Sequence, residues 1–236
     1  MTAQLDLRLP DVPQQLPLTW PSEPDYAREA LIEGPGLRDA LHLIEAWPHW
    51  PMPWVVLSGP PGSGKSHLAA IWAARAKARQ LFTAELVSLD LNDIGKQPIV
   101  VENVDILVSG ERSLAVQTGL FHLANHARAS GTQLLVTARL EPRRWALTVR
   151  DLASRFCAAT QLRLPEPDET LLHGVLLKLF ADRQLAVSPE LTAWIVPRIE
   201  RSLGTARLLV DRLDRTALAE RRRIDRRMVA DALRCL

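Results

Sequence analysis

Between residues 54 and 164 the chain alternates two patterns: short, nearly continuous apolar runs, and longer stretches with apolar residues at helical spacing. Trp54-Val55-Val56-Leu57 is the first run, and His67–Ala76 behind it has the composition of a helix. Further runs are Glu85–Leu89, Pro98–Asn103, Gln133–Thr137 and Gln161–Leu164, with a helical stretch at Ser113–Ala129. Runs of this kind suit strands buried on both faces, and strands that alternate with helices build βαβ units. The pattern predicts an α/β fold with a mostly parallel five-stranded sheet and a ligand at the C-terminal ends of its strands. Upstream, Ala40, Leu41, Leu43, Ile44 and Trp47 have amphipathic helical spacing after a Gly34-Pro35-Gly36 turn. The Pro- and Trp-rich stretch Trp47–Trp54 reads as a connection that packs its tryptophans on the domain.

From Pro165 onward only the helical pattern remains. Helices are expected over Asp168–Leu185, from Ser188-Pro189-Glu190, over Gly204–Arg222 and over Arg226–Leu236. The chain thus divides into an extended arm (1–24), an α/β domain (25–165) and a small all-helical domain (166–236). In the arm, Pro10, Pro13, Pro17, Pro21 and Pro24 lie too close together for a helix. Two short stretches recur there: Gln4-Leu5-Asp6-Leu7, with Leu9 beyond it, and Gln15-Leu16-Pro17-Leu18. Leucines that merely cap the domain are the plainer account of them. The alternative is a docking peptide anchored by a glutamine and two leucines.

The 236 residues are 47% hydrophobic and 24% charged, enough for a sizeable core. A formal net charge of +2 does not by itself predict nucleic-acid binding. Cys157 and Cys235 make no disulfide framework, and the sequence shows neither a secretory signal nor a run long enough for a bilayer. A cytoplasmic protein with no membrane partner is expected.

The chemistry gathers between the first run and the first helix. Gly59-Pro60-Pro61-Gly62-Ser63-Gly64-Lys65-Ser66, followed by His67, fits the phosphate-binding P-loop in its strand–loop–helix context. Its glycines let backbone N–H groups point at phosphate oxygens, and the helix N-terminus adds its dipole. Lys65 would reach the β and γ phosphates and the Ser66 hydroxyl would sit on Mg²⁺, so the expected ligand is ADP or ATP with Mg²⁺. Glu102 ends an apolar run where a metal-holding carboxylate belongs, directly or through water. The next residue is Asn103, which cannot act as a general base, so self-sufficient hydrolysis is not expected. Thr137 ends the fourth run, beside the γ-phosphate position of such folds. Arg155, in Asp151-Leu152-Ala153-Ser154-Arg155-Phe156, precedes the last strand, and Arg207 follows Gly204-Thr205 in the first turn of a helix. A guanidinium can grip phosphate oxygens bidentately, although a lone arginine is more often a solvated charge.

Two other groupings read as ordinary surface. His122 and His126 have i, i+4 spacing without the adjoining Glu or a third ligand. Arg221-Arg222-Arg223 with Arg226-Arg227 reads as a solvated helix end, with DNA contact as the lesser alternative.

The P-loop, Glu102, Thr137, the stretch Asp151–Phe156 and Gly204-Thr205-Ala206-Arg207, in that order ahead of a helical lid, resemble the AAA+ domain of the DnaA/Hda family of bacterial replication proteins. The resemblance covers nearly the whole chain. It implies an AAA+ P-loop fold with Thr137 as sensor 1, Arg207 as sensor 2 and Arg155 as an arginine finger acting in trans. It also places Leu31 and Ile32 against adenine, and makes the arm a binding motif for the β sliding clamp of DNA polymerase III. DnaA itself continues past its lid into a DNA-binding domain, whereas this sequence stops at Leu236 with the lid, which favours the regulatory branch of the family. The implied activity is clamp-assisted: ADP-bound and docked on the DNA-loaded clamp, the protein presents Arg155 to DnaA carrying ATP and promotes hydrolysis there. DNA would be met mainly through the clamp, and a homo-oligomer is compatible with the pattern. The rival expectations are an autonomous ATPase of the helicase-loader (DnaC) type and a nucleotide-holding scaffold.

Overall fold

The computed structural model describes residues 26–88, 90, 93–109 and 113–236. Both arm motifs, with Gln4, Leu5, Leu7 and Leu9 in one and Gln15, Leu16 and Leu18 in the other, lie outside the described residues.

Strands Trp54–Ser58 (β1), Arg79–Leu81 (β2), Ile99–Val101 (β3), Leu134–Ala138 (β4) and Thr160–Arg163 (β5) form one sheet in the order β2-β3-β4-β1-β5. Every pairing is parallel. Side chains alternate across the pleat, so the continuous runs feed two cores at once. Val55, Leu57, Val100 and Leu135 pack with the helices Pro35–Glu45 (α1) and Lys65–Ala76 (α2). Val56, Val101, Leu134 and Val136 pack on the opposite face with Leu120 and Phe156, from Ser113–Ser130 (α5) and Arg150–Ala158 (α6). Trp50 does lie on the domain, its ring stacked on Trp72 at 4.9 Å.

One strand is not where the apolar runs predict it. Glu85–Leu89 has the pattern of a second strand; instead Thr83–Val87 is a short helix (α3), and Arg79–Leu81 pairs with β3. The reason is local bonding that outweighs β-propensity. The Glu85 carboxylate accepts the Phe82 N–H at 3.0 Å and the Arg79 guanidinium at 3.0 Å, which fixes the first turn. Leu86 is then buried against α5, so close to Gly119 that a Cβ there would lie 1.9 Å from the Leu86 carbonyl oxygen. A second difference is smaller: Pro35 is not in a turn but is the first residue of α1, where its fixed φ suits the helix and its missing N–H costs nothing.

Glu169–Asp182 (α7), Pro189–Ile195 (α8), Leu203–Glu220 (α9) and Arg226–Leu233 (α10) enclose a separate core of Leu172, Leu176, Phe180, Leu209, Leu213 and Val229. Asp168, Ser188, Ser202 and Asp225 cap these helices, each accepting the N–H three residues on. Among the described residues no helix is long and apolar enough to cross a membrane.

Candidate nucleotide-binding site

β1 ends at Ser58, and the chain turns through the glycine-rich loop into α2 at Lys65. Gly62 has φ +70°, and a Cβ on it would stand 2.0 Å from Ser202 Oγ, so both backbone shape and space demand glycine. Lys65 is only 7% exposed. Its ammonium donates to the carbonyls of Gly59 (2.8 Å) and Pro60 (2.7 Å) and lies 3.3 Å from Ser63 Oγ. Burial pushes the Lys65 pKa below the ordinary lysine value; Asp105 opposes that shift and Arg139 adds to it.

Across from the loop, Ser66 Oγ donates to Glu102 Oε2 at 2.5 Å, and Gln80 Nε2 donates to Glu102 Oε1 at 3.1 Å. A hydroxyl and a carboxylate in contact are hard oxygen donors of the kind Mg²⁺ takes, so these residues fit that ion. Asn103, at φ +55°, is the N-cap of the short helix Val104–Leu107 (α4). Its N–H donates to Thr137 Oγ1 at 3.0 Å. Thr137 is therefore tied to the Glu102–Asn103 segment, and it is Asn103 that lines the cavity. Asp105, in the first turn of α4, accepts the N–H groups of Arg139 (3.0 Å) and Leu140 (3.1 Å) on Oδ2. Its Oδ1 is buried and lacks a partner among the described residues.

These elements wall a cavity of about 530 Å³. Its lining includes Tyr26, whose ring lies 5.4 Å from that of His67, together with Leu31, Ile32 and, from α7, Val175 and Leu179. The same lining takes in Gly62, Gly64, Lys65, Ser66 and His67 of the loop and α2, and Gly204 and Arg207 of α9. The lid is joined to the loop directly: the Leu203 N–H donates to the Gly62 carbonyl at 2.9 Å. Leu31 and Ile32 thus share a cavity with the P-loop and Arg207.

Arg155 lies elsewhere. On α6 it bridges to Asp151 at 2.7 Å, donates to Asn125 Oδ1, and lies 5.2 Å from the centre of the Phe121 ring. It is not part of the cavity wall. His126 Nε2 lies 2.6 Å from the Gly95 carbonyl oxygen, and among the described residues no three His, Cys, Asp or Glu side chains gather as a metal site. Arg222 pairs with Glu220 and with Asp225, in keeping with a solvated helix end.

Sequence reasoning missed Tyr26, Arg139 and the Lys178–Asp182 pair of α7, all of them in the cavity wall. Arg139 carried a usable signal, since it stands just past a strand end in a parallel sheet, where ligands collect. Tyr26 and the α7 pair had none, because only the folding of distant segments brings them to the P-loop.

The geometry is that of an AAA+ P-loop domain with a helical lid, and similar structures agree. Domain III of the replication initiation protein DnaA from Thermotoga maritima superposes with a TM-score of 0.78 at 21% identity, covering 90% of this chain and 97% of that one. The AAA domain of FIGL-1 in complex with ADP gives 0.67 at 17% identity, covering 86% and 82%. In sequence the chain is 26% identical over 219 residues to the chromosomal replication initiator protein DnaA of Thermotoga petrophila. That alignment takes in 84% of this chain and 50% of the relative, so the chain spans about half the length of the curated relatives it matches. No protein-family model matches it.

Proposed function

We propose that this protein is a nucleotide-holding AAA+ regulator of replication initiation, of the Hda type, which stimulates hydrolysis of ATP bound to DnaA. The observation that carries this reading is a separation: a cradle for phosphate and metal stands on one side, and a guanidinium, Arg155, is fixed outside it. ADP or ATP would lie with its base among Tyr26, Leu31 and Ile32 and its phosphates between Lys65 and Arg207. Ser66 and Glu102 would hold Mg²⁺, which supplies positive charge to the phosphate oxygens. Asn103 beside Glu102 accepts no proton from water, so the bound nucleotide is kept rather than turned over. Clamp docking falls to the arm, through Gln4, Leu5, Leu7 and Leu9 or through Gln15, Leu16 and Leu18.

On this reading Arg155 acts in trans, on the nucleotide of a neighbouring DnaA. Charge on the γ-phosphoryl oxygens grows as water attacks and the bond to the ADP leaving group breaks, and a guanidinium placed there stabilises that state. The test is single-turnover hydrolysis of ATP prebound to DnaA, with DNA-loaded clamp, comparing wild type with Arg155→Ala while ADP binding is measured in parallel. Trans-acting arginines are worth roughly 10³–10⁵ in rate in well-measured GTPases, so stimulation should nearly vanish with ADP binding intact. Wild-type stimulation by the variant would remove the trans role.

A second reading, an autonomous ATPase of the DnaC type, is favoured by one observation: the buried Oδ1 of Asp105, without a partner among the described residues, offers another acid near Lys65. Steady-state turnover by the purified protein separates the two. A rate on the order of 1 s⁻¹ or more, as in ordinary enzymes, belongs to the motor.

A further inference from the structure

Gln117 of α5 has no exposed surface, and a buried amide is costly unless both of its ends are bonded. Here both are. Its Oε1 accepts the N–H groups of Thr148 (2.8 Å) and Val149 (3.3 Å) and the Thr148 hydroxyl (3.1 Å). Its Nε2 donates to the carbonyls of Ala146 (3.3 Å) and Val108 (3.5 Å). All but the last of these bonds go to the segment that leads into α6. Val149 is the N-cap of α6 and gives that helix no side-chain bond, so the polar hold on its entrance comes from α5. The same face of α5 carries Phe121 and Asn125, at i+4 and i+8 from Gln117. The Arg155 guanidinium lies 5.2 Å from the centre of the Phe121 ring and donates to Asn125 Oδ1. One rail of α5 therefore holds α6 at its entrance and at Arg155. The bond to Val108 ties the same amide to the C-cap of α4, whose N-cap Asn103 follows Glu102.

We propose that Gln117 is a positioning residue for the trans action of Arg155. It lies outside the cavity wall and acts by fixing where α6 begins, and so where Arg155 stands relative to a neighbouring molecule's γ-phosphoryl group. Leu152 and Phe156 hold α6 to the core by apolar contact, which is non-directional and tolerates sliding and rotation. Hydrogen bonds are directional, and those of Gln117 set the register of the helix. A misplacement of about 1 Å can cost about 100-fold in rate, even from a change far from the chemistry. The assignment of Gln117 rests on the trans reading of Arg155 above.

The experiment is single-turnover hydrolysis of ATP prebound to DnaA, with DNA-loaded clamp and increasing amounts of the full chain. The maximal rate and the half-saturating concentration are then read separately for wild type, Gln117→Met and Thr148→Val. ADP binding, thermal unfolding and hydrogen exchange of the Thr148 and Val149 amides are followed in parallel. Gln117→Met keeps the length of the side chain and removes the amide. It should lower the maximal rate about 10- to 100-fold and leave half-saturation and ADP affinity within about threefold. Exchange at the two amides should quicken. Thr148→Val, at an exposed site, removes one bond of the set and should lower the maximal rate about two- to fivefold. A wild-type maximal rate in folded Gln117→Met overturns the proposal. A loss shared equally by ADP affinity or half-saturation overturns it too, since general loosening moves all three. Should Gln117→Met fail to fold, Thr148→Val decides alone: an unchanged maximal rate overturns the proposal. If wild type gives no stimulation, the trans reading falls and Gln117's role with it; if wild type stimulates and Gln117→Met matches it, only the role of Gln117 falls.

Discussion

The two walls of the cavity are built in opposite ways. The P-loop wall is one contiguous segment, Gly59–Ser66, whose shape comes from its own glycines and from the strand and helix that flank it. The other wall is collected from the segments that follow β3 and β4 and from α7 and α9, with contributors as far apart in sequence as Tyr26 and Arg207. The first wall is generic chemistry for a polyphosphate. The second carries Asn103, Arg139 and the lid residues Gly204 and Arg207. Long-range packing, rather than local sequence, therefore sets the geometry of that second wall.

The comparison breaks first at Lys65. Lys65→Ala removes the only P-loop side-chain cation, and ADP affinity measured by calorimetry should fall by at least about 100-fold, the upper end for a charged hydrogen-bond donor. Unchanged affinity would mean that the facing wall holds the ligand by itself. Next comes the seam between the walls. Gly62→Ala puts a methyl group into Ser202 at a positive φ, so the Leu203–Gly62 bond that joins lid to loop must open. A backbone so strained costs on the order of 1–3 kcal/mol. Nucleotide affinity should drop about tenfold, and a lid amide near Leu203 should exchange faster with solvent; a slower or unchanged exchange rate would argue against the seam.

The smallest effect tests a region away from both walls. The Phe82 N–H, and after it Arg79, hold the Glu85 carboxyl below its usual value of 4.5. A carboxylate with a depressed folded pKa adds stability above its unfolded pKa and loses it as pH falls through the folded one. Wild type should therefore be more stable than Glu85→Gln at pH 7 and indistinguishable from it at strongly acidic pH. Both partners are partly exposed, so the difference at neutral pH is held to about 1 kcal/mol or less by solvent screening. Thermal unfolding across pH measures it, and a difference independent of pH would assign the turn to packing of Leu86 alone.

Much of this protein can be read from its residues in order. The alternation of apolar runs and helical spacing places four of the five strands, because β1, β3 and β4 are buried along their whole length and β5 packs the partly buried Leu162 on the core. The P-loop declares itself because its glycines, Lys65 and Ser66 act over a single turn of chain. The all-helical lid is legible for the same reason, through caps such as Ser188 before Pro189. Other features are invisible at that range. The run at Glu85 has the apolar content of a strand, but the bonds of Glu85 to Phe82 and Arg79 and the close approach of Leu86 to Gly119 make it a helix. Arg139 and Arg155 are alike as letters. Asp105 turns the chain at Arg139 into the cavity, while Asp151 and Asn125 tether Arg155 outside it. A side chain's partners across the fold fix its direction and its charge environment, and those partners are set only when distant segments pack.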